Sequence, residues 1–244
     1  MTTCLFVGPT LHREPIPPGI ERFGPAAMGS VFRAVEAGYR RIGIVDGYFG
    51  NVPSVWHKEV LFALSAGVEV WGAASMGALR AAELHAFGMI GIGRIYRLYR
   101  RGLWTDDDEV AVIHAPENLA FAPLSLSLAN IRFTLRRLRR LGMLDASLEE
   151  ALVRRMKDLH FSRRNAEELE RHASDIAGEA NPVRFAHCFS REYVDVKMAD
   201  ARALLASLAR GGSRPRAQPV WRFPATGHWR KQFELEIADV PPLH

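Results

Sequence analysis

The sequence predicts an α/β fold, a small parallel sheet with flanking helices followed by a mainly helical C-terminal portion. Three observations carry this. Short apolar runs at Leu5 to Val7, Arg41 to Val45 and Val68 to Trp71 each end in a turn and alternate with stretches of helical spacing, the pattern of parallel strands joined by crossovers. From Pro123 onward helical periodicity dominates. The 244 residues are 48% hydrophobic and 24% charged, which is globular composition with enough length for a sizeable core.

Taken in order, Leu5-Phe6-Val7 is closed by Gly8-Pro9. Pro25 to Ala37 places Met28, Val31, Phe32 and Val35 at helical spacing, with Gly38 as a C-cap. Arg41 to Val45 is a strand ended by Asp46-Gly47. Asn51 to about Ala66 reads as a second helix stopped by Gly67, Val68 to Trp71 as the next strand, and Met76 to Phe87 as a third helix stopped by Gly88. A glycine-rich link, Gly91 and Gly93, leads to a short basic helix from Arg94 to Arg101. The helical half then comprises Leu126 to Leu141, a helix opened by a Ser147/Glu150 capping box and ending near His160, Ala166 to Ala173, and Arg191 to Ala209. A last strand is expected at Phe233 to Ile237. These readings divide the chain into a core at 1–122, a helical extension of the same globule at 123–210, and a basic, Pro- and aromatic-containing segment at 211–244.

Several function classes drop out early. No apolar run approaches the roughly 20 residues of a membrane helix, and Met1 to Gly8 has no charged n-region or cleavage site, so a cytoplasmic protein without a membrane partner is expected. Cys4 and Cys188 form no CxxC pair and no disulfide framework. They could carry persulfide sulfur, although Cys4 lies in a strand pattern and Cys188 beside Phe189. None of the nine histidines forms an HxxxH pair, so no metal and no cofactor is expected. The net charge of +5 admits an anionic or acidic partner. Only four of the 32 basic residues are lysines, Lys58, Lys157, Lys197 and Lys231. Lysine, unlike arginine, can be desolvated into a neutral base, so each of the four is a candidate for chemistry.

The chemistry-bearing motif is Gly72-Ala73-Ala74-Ser75-Met76-Gly77-Ala78. It sets a serine between an apolar strand and a helix with small residues on both sides, the shape of a nucleophile elbow in which alanine replaces the first glycine. Backbone N–H groups of Met76 and Gly77 would face an oxyanion. A serine there is equally a helix N-cap. A serine nucleophile needs a base, and His57 and Lys58 on the preceding helix are nearest in sequence. Lys58, flanked by Val55, Trp56 and Leu61, is preferred, with Asp46 and His57 in support.

The wording of this region resembles the TfuA-like family. The resemblance rests on Val7-Gly8-Pro9-Thr10-Leu11, Ile44-Val45-Asp46-Gly47, Ser54 to Glu59, Gly72 to Leu84, Phe87-Gly88-Met89, Gly91-Ile92-Gly93 and Asp106 to Val112, and it covers roughly Val7 to Arg132. It implies work beside a YcaO-type ATP-dependent enzyme in peptide thioamidation. It further implies hydrolysis of the thiocarboxylate of a small ubiquitin-like sulfur carrier by a Ser–Lys pair, and help in engaging the precursor peptide. The pair falls on Ser75 and Lys58, with Lys197 in Val194-Asp195-Val196-Lys197 as the rival base. A non-catalytic adaptor that scaffolds the YcaO enzyme with its peptide is the alternative.

Two charged runs remain. Asp106-Asp107-Asp108-Glu109 lacks the ligand spacing of a cation loop and reads as a solvated face or partner contact. Arg136 to Arg140 accompanies no nucleic-acid module, so no nucleic acid is expected and a docking surface for carrier or enzyme is preferred.

Overall fold

The computed structural model describes residues 2–50, 52–177, 182–210 and 221–233. Five strands, β1 (Thr3–Phe6), β2 (Ile20–Phe23), β3 (Arg41–Ile44), β4 (Glu69–Ala73) and β5 (Ile90–Ile92), form one sheet in the order β2-β1-β3-β4-β5. Every pairing is parallel. The strand order reverses between β1 and β3, so a crevice opens beyond their carboxyl ends, where open parallel sheets hold their sites.

Helices cover both faces. α1 (Ser30–Glu36), α2 (His57–Ser65) and α3 (Met76–Leu84) bury Val31, Ala34, Val60, Leu64, Ala78 and Leu84 with Phe6, Ile42, Ile44 and Val70. Side chains alternate along a strand. Leu5, Val7, Val45 and Trp71 therefore face the opposite layer, where α9 (Val196–Ala209) returns from the far end of the chain and packs Ala201, Leu204, Leu205 and Leu208 on them. Truncating Leu204 or Leu208 to alanine would cost about 2–5 kcal/mol each. α4 (Gly93–Arg100) packs beside α3 and α9, and its N-terminus is capped by Asp200 of α9, whose carboxylate accepts from the Arg94 and Ile95 amides at 2.8 Å each.

The helices α5 (Leu128–Arg140), α6 (Ala146–Asp158), α7 (Ala166–Ala177) and α8 (Pro182–Arg191) build their own core around Ile131, Leu135, Leu152, Met156, Leu169 and Phe189. Their ends follow local chemistry. Ser127 caps α5 through the Asn130 amide, and Asp145, rather than Ser147, caps α6 through the Leu148 amide. α10 (Gly227–Phe233) lays Trp229 and Phe233 against Phe32.

The sheet has two strands that sequence patterning passes over. β2 is half exposed and carries Glu21 and Arg22, as suits an edge. β5 has three residues, and Gly91 is required there because a Cβ would lie 2.1 Å from the Tyr96 ring. The helix expected from Asn51 begins only at His57. The helix expected from Arg191 to Ala209 is instead the end of α8 and then α9, broken between them at Tyr193 to Asp195. Phe233, expected to start a strand, ends α10, and 234–237 lie outside the described residues.

Candidate active site

The turn from β4 into α3 is tight for a stated reason. Gly72 and Gly77 press the helix onto the sheet: a Cβ on Gly77 would lie 1.8 Å from the Ile44 carbonyl oxygen, and one on Gly72 2.0 Å from that of Gly77. Between them Ala74 adopts φ +66° while the Ser75 amide donates to the Ala73 carbonyl at 2.8 Å. This is a γ-turn with a positive central φ, a rare and strained form that persists only where its surroundings dictate it. Ser75 is the N-cap residue of α3 by position, yet its hydroxyl caps no amide of the helix. It donates to the carbonyl of Val110, a long contact of 3.4 Å. Ser75 is 2% exposed.

The same Val110 carbonyl accepts a 2.8 Å hydrogen bond from Lys197 Nζ. Lys197 stands in the first turn of α9 and is buried at 4% exposure. Burial pushes its pKa below the ordinary lysine value, against the charges of Asp46 and Asp195, which favour the ammonium. The base of α9 is fixed from α5: Asn130 Nδ2 donates to Asp195 Oδ1 at 3.0 Å and to the Tyr193 hydroxyl at 2.9 Å, while its Oδ1 accepts from the Lys197 amide at 3.3 Å. Asp46, 1% exposed at the end of β3, accepts from the Gly8 and Thr10 amides at 2.9 and 3.0 Å and from the Thr10 hydroxyl at 2.5 Å, which ties the ends of β1 and β3 together.

The two candidate bases on α2 face elsewhere. Lys58 Nζ donates to Thr226 Oγ1 at 2.7 Å, and His57 pairs with Glu83 at 2.8 Å on the surface. The reason is helical phase: Val60, Ala63 and Leu64 take the buried face of α2 and turn Lys58 off it. The amides of the turn also differ. Gly77 N–H donates to the Val45 carbonyl at 3.1 Å, so it is engaged in holding α3 to the sheet rather than turned to an oxyanion. Met76 N–H has no acceptor among the described residues.

The acidic run is solvated at Asp106 and Asp107 and clasped by cations toward Glu109. Glu109 is 4% exposed and takes a two-pronged bond from Arg132 at 2.9 and 2.8 Å. Lys157 bonds Asp106 at 2.8 Å and also Asp108. Arg164, fully buried, donates to the Asp108 carboxylate and, at 2.6 Å, to its carbonyl. The arginines on α5 reach carboxylates too, Arg137 to Glu192 at 2.8 Å and Arg139 to Glu149 at 3.0 Å. Cys4 is buried, with its thiol pKa pushed far up by burial and by Glu21, which leaves it unreactive.

A cavity of about 260 Å³ reaches Lys197 past Leu124, Pro123 and Val112, with Ser127, Asn130 and Asp195 among the polar groups in its wall. A second, more polar hollow of about 600 Å³ is bounded by Met76, Arg80 and Asp106 to Asp108. Sequence reasoning missed Val110, whose contribution is a backbone carbonyl with no residue-type signal. It also missed Asn130, for which a polar residue among Leu128, Ala129 and Ile131 was a usable sign.

A family model described as TfuA-like protein matches residues 46–165, which contain the elbow, the acidic run and the three cations that clasp it. The chain belongs to the TfuA-like family. Membership supports a role as an accessory protein of thioamidation, in partnership with YcaO-type enzymes in general. No curated protein matches the chain in a sequence comparison. Lys197 lies beyond the matched region of this TfuA-like chain. Among the described residues no helix is long and apolar enough to cross a membrane.

Proposed function

We propose that this TfuA-like protein hydrolyses the C-terminal thiocarboxylate of a small ubiquitin-like sulfur carrier and so delivers sulfide to a YcaO-type enzyme, with Ser75 as nucleophile and Lys197 as base. The observation that carries the reading is one carbonyl, Val110 O, contacted by both the Ser75 hydroxyl and the amine of a buried lysine. Burial disfavours the ammonium, and a neutral amine is the form that can take a proton.

In the proposed reaction the Ser75 oxygen attacks the thiocarboxylate carbonyl carbon while its proton passes to neutral Lys197. The resulting oxyanion is met by the Met76 N–H. Collapse expels the sulfur, which takes the proton back from Lys197 and leaves as hydrosulfide, so that an acyl ester remains on Ser75 and the lysine is neutral again. Water, deprotonated by Lys197, then cleaves the ester, which returns the carrier as its carboxylate and frees the serine. Asp46 biases the lysine's proton affinity from the strand end. The YcaO enzyme takes the sulfide, and the precursor peptide reaches the site through the complex.

A second reading, the non-catalytic adaptor, is favoured by the 2% exposure of Ser75, which leaves no direct path for an acyl group. Sulfide release from a thiocarboxylated carrier by the wild type and by Ser75→Ala, Lys197→Ala and Lys58→Ala variants separates the two. Loss with Ser75 and Lys197 together, and not with Lys58, is expected. Release at the wild-type rate from folded Ser75→Ala would leave the adaptor.

A further inference from the structure

The segment Asp106 to Val112 runs from an exposed acidic start to a largely buried end. Its last part puts the Val110 carbonyl on both Ser75 and Lys197. In that position the hydroxyl donates to a carbonyl oxygen, which accepts the hydrogen bond but cannot take the proton, and the amine donates to the same oxygen rather than accepting from the serine. The segment borders both hollows, the cavity at Lys197 through Val112 and the hollow at Met76 through Asp106 to Asp108, and Ser75 lines neither.

The first part of the segment is held by cations that come from the helical half. Arg132 of α5 bonds Glu109, Lys157 of α6 bonds Asp106 and Asp108, and Arg164, just before α7, bonds Asp108. Asp106 and Lys157 have side chains 61% and 27% exposed, so that end of the cluster is open to solvent and salt. At the inner end Glu109 and Arg164 are 5% and 0% exposed. The cluster is therefore anchored inside and accessible outside, the arrangement of a catch.

We propose that Asp106 to Val112 is a latch that holds the Ser75–Lys197 site closed, and that loosening its ion cluster with Arg132 and Lys157 opens the site. The inference rests on the proposed chemistry at Ser75 and adds its regulation. Withdrawal of the Val110 carbonyl frees the hydroxyl to donate to the lysine. The structure described is then the resting form, and Ser75 is buried because the latch is shut.

The test uses the full-length protein, with Lys157→Gln and the milder, exposed Asp106→Asn. Two quantities are read: hydrogen exchange at the Glu109, Val110 and Ile113 amides, and the labelling rate of Ser75 by a fluorophosphonate, with Ser75→Ala as blank. Both should rise roughly fivefold or more in Lys157→Gln at an unchanged melting temperature, and less in Asp106→Asn. Wild-type labelling should rise with salt as the outer pairs are screened. Exchange at wild-type values in both folded variants overturns the latch whatever the labelling shows. Faster exchange with no labelling of Ser75 in any protein supports the latch and counts against the hydrolase chemistry instead.

Discussion

Two lysines on two helices approach the sheet of this protein, and they have little in common. Lys58 on α2 is next to the elbow in sequence, lies at the rim and bonds a threonine of the C-terminal segment. Lys197 on α9 comes from the other end of the chain, is buried, and shares an acceptor with Ser75. The difference teaches that a lysine becomes a plausible base through desolvation, and desolvation depends on which helix face meets the core rather than on closeness along the chain.

The largest effects test that contrast directly. Ser75→Ala and Lys197→Arg should each lower sulfide release by roughly a thousandfold or more, since a permanently charged guanidinium cannot serve as base, whereas Lys58→Ala should stay within about twofold. A strong loss in Lys58→Ala alone would invert the comparison. Next comes the elbow that aims the serine. Gly77→Ala should destabilise the fold by about 3 kcal/mol or more, because its new methyl meets the Ile44 carbonyl and neither backbone can give. A denaturant midpoint equal to wild type would show that the close helix-to-sheet approach is not needed.

The pH dependence sharpens the comparison further. A base must be neutral, so release should climb with pH through the pKa of Lys197, at lower pH than an ordinary lysine because burial depresses it. Asp46 acts in the opposite direction by favouring the ammonium. Asp46→Asn should therefore lower that pKa further and move the rising limb to lower pH, and a shift to higher pH would remove Asp46 from the lysine's surroundings. The sign for stability follows: above its unfolded pKa the buried lysine is neutral in both states, and as pH falls toward its folded pKa the unfolded chain binds the proton first, so folding weakens. The smallest effect is expected at Asp200, where Asp200→Asn weakens the cap on α4 by about 1 kcal/mol, read in a thermal melt.

Much of the fold was legible. The apolar runs at Leu5, Ile42 and Val70 are strands because they are buried on both faces, which leaves a continuous hydrophobic signal. The turn residues Gly8, Asp46 and Ser75 fell at strand ends for the same reason. β2 and β5 were not legible, since a four-residue edge and a three-residue strand bury too little to imprint a pattern. In the candidate site the serine's turn was legible from its small neighbours, while sequence proximity favoured Lys58, whose amine bonds Thr226, over Lys197, which shares the Val110 carbonyl with Ser75. The acidic run was read as a solvated face or partner contact, which fits the exposed Asp106 and Asp107; its clasp was not legible because Arg132, Lys157 and Arg164 come from the helical half and carry no distinguishing mark.

By itself the sequence determined the layered α/β plan, the elbow at Ser75 and membership of the TfuA-like family, all of which depend on local spacing and residue size. Tertiary structure decided which lysine shares an acceptor with the serine, that Gly77 N–H is spent on Val45, and that this acceptor is the Val110 carbonyl. Those outcomes come from burial and from contacts between residues far apart in the chain, and neither leaves a periodic trace in the order of amino acids.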